Sequence, residues 1–149
     1  MYNSAADTEL HISTVQENIS KIVSILESRK AEHDKSKLEE PEKSMFDEFT
    51  PKLRSSTYGS DEYKSFLQEM GVALKHHYEN NSHHPEHYEN GINGMSLLDL
   101  IEMLADWKAA TQRHADGNIL DSLRINKERF GLSDQLAEIF NNTIKELDW

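Results

Sequence analysis

Apolar residues recur at helical intervals along most of this chain. Val15, Ile19, Ile22, Val23 and Leu26 keep three- and four-residue spacing, which predicts an amphipathic helix over residues 10–29. His11 lies four residues before Val15 and so shares its stripe, expected to face inward. "AEHDKSKLEE" reads as a short second helix ending near Pro41. Residues 41–59 are mixed, with a helical turn in "PEKSMFDEF" and a loop at "STYGS". Ser60 is placed to cap a helix over residues 61–78, with Tyr63, Phe66, Leu67, Met70 and Leu74 as its seam. Three residues further, that seam reaches His77, while His76 is rotated about 100° away.

The pattern lapses through "HHYENNSHHPEHYENG" and "NGINGMS", which read as loop. It resumes after Ser96, the predicted cap of a helix over residues 97–114 with Asp99 in its first turn. "HADGN" connects to a helix over residues 119–129, which Gly131 stops. Ser133 caps the last, running to about Leu147. No alternating pattern of useful length marks a strand. The expected class is all-α: a loose arm over residues 1–8, then one domain, residues 9–149, built as a bundle of five to seven helices.

Composition narrows the function. Acidic residues outnumber basic ones 27 to 16, a formal charge of −11, which disfavours duplex nucleic acid and anionic membranes as partners. Acids interrupt "MSLLDLIEMLADWKAA", so it is no membrane span, and the polar start "MYNSAADTEL" lacks the features of a signal peptide. A cytoplasmic setting, in a cell or an infected host cell, is expected. Cysteine is absent, so any metal site must use His, Asp and Glu. Such a donor set suits Mn, Fe, Co, Ni or Zn.

Candidate ligands fall in four places: His11, the doublet His33-Asp34, the cluster from His76 to His87, and Asp106. Their order, "HISTV", then "HDKSK", then "HHPEHYENGINGMSLLDLIEMLAD" and "LADW", resembles the HD-domain superfamily of metal-dependent phosphohydrolases across roughly residues 11–110. It is similar in layout to a small group of phage and bacterial HD-like proteins. The resemblance implies an HD-like helical fold in which His11, His33, Asp34 and Asp106 hold one divalent ion. His77 and His83 or His84 would then serve a second ion or the phosphate. "HDKSK" fits the form H-D-x-x-K, which implies that Lys37 holds or protonates the substrate phosphate. The Gly-Tyr-Pro triplet of the cyclic-dinucleotide branch is absent.

The implied activity is hydrolysis of a nucleotide or similar small phosphoester by metal-activated water, with Asp34 and Lys37 as its catalytic residues. Arg113, Arg124, Lys127 and Arg129 are further cations that a phosphate pocket could recruit. The same family includes mixed-valent di-iron oxygenases, and a module that sequesters a nucleotide without turnover is a third reading. Each piece also has a plainer explanation. The histidine run could be a solvated loop, Asp99, Glu102 and Asp106 the water-facing side of a helix, and Lys37 a surface lysine. Trp107 and Phe130 are expected in the core.

Overall fold

A computed structural model describes residues 3–57, 59–113 and 117–149. Tyr58 of the expected "STYGS" loop and residues 114–116 of the expected "HADGN" connector lie outside the described residues. Among the described residues there are seven α-helices, three short 3-10 turns and no strand. The protein is all-α. None of the described helices is long and apolar enough to cross a membrane. Backbone contacts divide the chain into two units, Met1–His33 and Asp34–Trp149.

The first unit is essentially α1, Ala5–Glu32, whose turns take in part of the expected N-terminal arm. It ends in basic Arg29 and Lys30, which suit the negative end of the helix dipole. Within this unit nothing covers the expected inward stripe: none of α1's side chains is buried, and His11 is exposed.

In the second unit the expected short helix shrinks to a 3-10 turn, Lys35–Leu38, entered through Asp34 in the left-handed region at φ 57°. Aspartate tolerates that region better than most residues, and the reversal ends the helical course of the chain. The mixed stretch forms α2, Glu42–Ser55, which presents Phe46 and Phe49 inward despite carrying Pro51. The expected helix over residues 61–78 is two helices, α3, Asp61–Glu69, and α4, Gly71–Asn80. The break falls at fully buried Met70 and at Gly71, where a helix loses about 1 kcal/mol relative to alanine.

The remaining helices follow their sequence signals closely. Ser60 accepts from the Tyr63 amide at 3.1 Å, and Ser133 accepts from Leu136 at 3.1 Å. Ser96 and Asp99 form a reciprocal capping box on α5, Leu97–Thr111. Asn118 caps α6, Ile119–Phe130, and Gly131 ends it at φ 65°, before α7, Asp134–Glu146. Met103, Leu104 and Trp107 of α5 pack with Ile119, Leu123, Leu132, Phe140 and Ile144 into one apolar core. Trp107 and half-buried Phe130 stack at 6.2 Å. This three-helix core carries the inward face of α5, from which two acids reach the site.

Candidate metal centre

Three elements of the second unit converge on one point. Asp34 comes from the left-handed entry to the first 3-10 turn, His77 from α4, and His83 and His84 from the segment that follows α4. One donor atom from each of these four residues lies within 4.8 Å of the others, a group that could hold a metal ion. His77 Nε2 is 2.9 Å from His84 Nε2 and 3.3 Å from Asp34 Oδ1. His83 Nε2 is 3.5 Å from the same Asp34 oxygen. Bonds of about 2.1 Å to one ion separate neighbouring donors by about 3.4 Å at tetrahedral angles and about 3.0 Å at right angles. The three spacings, 2.9, 3.3 and 3.5 Å, lie within about 0.1 Å of that range.

The surrounding side chains set which ring nitrogens face inward. The carboxylate of Glu42, 0% exposed, accepts from His77 Nδ1 at 2.9 Å and from His76 Nδ1 at 2.7 Å. Glu102 of α5 lies 3.1 Å from His83 Nδ1. An imidazole donating from Nδ1 to a carboxylate keeps its lone pair on Nε2, and both of those Nε2 atoms point toward Asp34. Ser36 donates to Glu42 Oε2 at 3.0 Å, and Asn81 donates to Ser36 Oγ and to the His77 carbonyl, each at 2.8 Å. Phe46 meets the His77 ring edge-on at 6.0 Å. These contacts fix the first imidazole on every side.

The histidine loop is held as firmly. Asp99 is buried, and beyond its capping role it accepts from Ser82 at 2.7 Å and from the Tyr88 hydroxyl at 2.9 Å. Those two residues flank His83 and His84, so one carboxylate clamps the loop on both sides. Pro85 is buried at the start of the next turn. The solvated-loop reading therefore fails for His83, which is 1% exposed, and survives for exposed His87, which donates to the Tyr78 carbonyl at 2.7 Å.

Burial keeps His77 and His84 neutral. It pushes His84 down to about 3, helped by the neighbouring His83, His77 and Lys37, against the opposing pull of Asp106. Burial, with Lys37, also lowers His77, against the pull of Asp34 and Glu42. Neutral imidazole is the form that binds a metal. Asp106, half-buried on α5, is close enough to act electrostatically on His84. Lys37 Nζ lies 2.5 Å from Asp34 Oδ2 and 5.1 Å from the Phe46 ring centre, so it is a half-buried cation at the edge of the cluster.

His11 and the expected cations other than Lys37 stand elsewhere. His11 precedes His33 by 22 residues on an unbroken helix, about 33 Å of axis, so one ion cannot take both. Asp34 follows His33 by a single peptide bond, which removes His11 from any centre built on Asp34 as well. His33 caps the C-terminus of α1 and closes the first unit, so the doublet straddles the division between units. Arg124 and Arg129 make their own ion pairs, to Asp121 at 3.9 Å and Glu86 at 2.8 Å. Lys127 pairs with Asp134 at 2.5 Å, and Arg113 is exposed just beyond α5. Among the described residues, Lys37 is a cation that acts on His77 and His84.

A family model, described as "Family of unknown function (DUF5662)", matches residues 1–146. The chain belongs to the DUF5662 family. No curated protein and no solved structure matches it. For this DUF5662 chain, the carboxylates that orient the histidines are what sequence reasoning missed. Glu42 sits in the acidic run "LEEPEKS" and looks like any surface glutamate. Glu102 was visible only as one of three acids spaced along a helix.

Proposed function

We propose that this DUF5662 protein is a metal-dependent phosphohydrolase acting on a nucleotide or similar small phosphoester. The observation that carries the reading is the convergence of Asp34, His77, His83 and His84 donor atoms within 4.8 Å. Three imidazoles and one carboxylate favour a divalent transition metal over Mg²⁺ or Ca²⁺. Such an ion, when bound, would acidify a water and polarise a phosphoryl oxygen.

The chain's own residues supply the rest. Glu42 and Glu102 orient His77 and His83 through their Nδ1 atoms. Lys37 brings positive charge beside Asp34, where a substrate phosphate needs it in a strongly acidic protein. Asp106 adds negative charge that favours a cation near His84. Bound by these four residues, an ion such as Mn, Fe, Co or Ni would keep room for water and substrate.

A second reading rests on the ligand count. Four protein donors also complete a tetrahedral zinc site, which is closed and serves stability rather than chemistry. Elemental analysis of the purified chain comes first. A screen of nucleotides and cyclic nucleotides with Mn²⁺, Co²⁺, Ni²⁺ and Mg²⁺ follows. Metal-dependent release of phosphate or nucleoside that is lost in Asp34→Ala supports the hydrolase. Stoichiometric zinc without turnover, whose removal unfolds the chain, supports the structural site. Substrate-dependent O₂ consumption with two irons per chain would point to an oxygenase. Metal-free protein with full turnover would overturn all three.

A further inference from the structure

The first unit poses a problem that the metal centre does not touch. α1 is 28 residues long and buries none of its side chains. Ile, Val, Thr and Ser, which support an isolated helix less well than Ala, Leu, Glu or Lys, are 12 of its 28 residues, and most protein helices owe their stability to a packed apolar face. That face exists here. Ile12, Val15, Ile19, Ile22 and Leu26 follow one another at intervals of three, four, three and four. Ile12, Val15, Ile19 and Ile22 are 49%, 39%, 54% and 46% exposed. The spacing is that of a and d positions over heptads, the pattern by which one helix seats its side chains between those of another.

Charge identifies the occupant. Residues 5–18 carry Asp7, Glu9 and Glu17 and no Lys or Arg. Residues 19–32 carry Lys21, Arg29 and Lys30 against Glu27 and Glu32. A second copy running parallel would set acidic half on acidic half. A second copy running antiparallel sets the acidic half against the basic half, twice. The same register places Ile19 against the partner's Ile22 and Val15 against the partner's Leu26. Glu9 then flanks the partner's Lys30, with both residues at the e position that sets orientation in such pairs. The helix is complementary to its own reverse, which is what a two-fold interface requires.

We propose that α1 is a self-association helix and that the protein is a dimer through an antiparallel α1–α1 coiled coil centred between Ser20 and Lys21. Sedimentation equilibrium on the full chain tests it. The expected particle is twice the 17.2 kDa chain mass. Ile19→Asp places a charge in the middle of the seam and should give a monomer, while Glu17→Lys on the far face should stay dimeric. Lys30→Glu should raise the dissociation constant several-fold, and adding Glu9→Lys should restore it. A variant that merely misfolds would show no such rescue.

Orientation is read by disulfide trapping, which is clean because the chain has no cysteine. A mixture of Val15→Cys and Leu26→Cys chains should cross-link on oxidation, and neither should do so alone. A monomeric wild type, as when α1 packs on its own chain, overturns the proposal. So does a dimer indifferent to Ile19→Asp, or one in which Val15→Cys cross-links to itself.

Discussion

The two units depart from ordinary burial in opposite directions. The second buries polar groups: Glu42, His77, His83 and Asp99 are all at or below 2% exposure. The first leaves its isoleucines in water. An isolated exposed apolar residue needs no explanation, but a regular seam of them does, as does a nest of buried titratable groups. Each departure points to something the unit by itself does not supply. For the histidines it is a cation, since three imidazoles turned inward beside a carboxylate, two of them kept neutral by burial, are poor company otherwise. For α1 it is a second apolar face.

The comparison breaks most completely at the ligands themselves. Asp34→Ala and His83→Ala should each cost at least about 100-fold in metal affinity, because each removes one of the four donors. Elemental analysis and competition with a chelator measure it. Metal retained at the wild-type level in both variants would mean that the cluster is only a hydrogen-bond network.

Glu42→Gln is the sharper probe, with a loss of about 10- to 100-fold. Glutamine keeps the shape but not the charge, and its NH₂ group cannot accept from both histidines. Asn81→Ala should do less, since it leaves the carboxylate in place. If Glu42→Gln bound metal normally, Glu42 would be a structural acid and the inward direction of His77 Nε2 would have another cause.

How much of this was legible in the sequence follows from the range of the interactions. The caps Ser60, Ser96 and Ser133 and the stop at Gly131 are local, and so they read directly. His77 was reached by extending a helical seam, which works because periodicity survives the break at Met70-Gly71. His11 shows where the method fails. Its stripe is real, but periodicity says only that a face is apolar and not whether anything covers it. Glu42 shows a second limit. Its partners are 34 and 35 residues away, and no local signal separates a glutamate buried among histidines from one in water. Asp99 combines both lessons, since its capping role was readable and its clamp on Ser82 and Tyr88 was not.

That double role makes Asp99 the next test. Asp99→Ala leaves two hydroxyls and a backbone amide without their carboxylate in a part-buried setting and should cost about 2–3 kcal/mol by urea denaturation. Ser96→Ala removes only the cap and should cost about 1 kcal/mol. Metal affinity should fall in the first variant and hold in the second, because only Asp99 tethers the loop carrying His83 and His84. Equal losses would reduce Asp99 to its capping role.

The smallest effect concerns protons. In chelator-treated protein the folded pKa of His84, about 3, lies below its unfolded value of about 6.5. Between those values the unfolded chain binds a proton that the folded chain refuses. The stability tied to this group is therefore complete above about pH 6.5 and drains away as pH falls toward 3. His77 contributes in the same direction. His84→Gln removes one such proton, so its stability should fall less steeply than the wild type's, by about 1 kcal/mol per pH unit between pH 6 and 5. Parallel slopes in wild type and His84→Gln would show that water reaches the cluster, and the contrast between a dry centre and a wet helix would lose its sharper half.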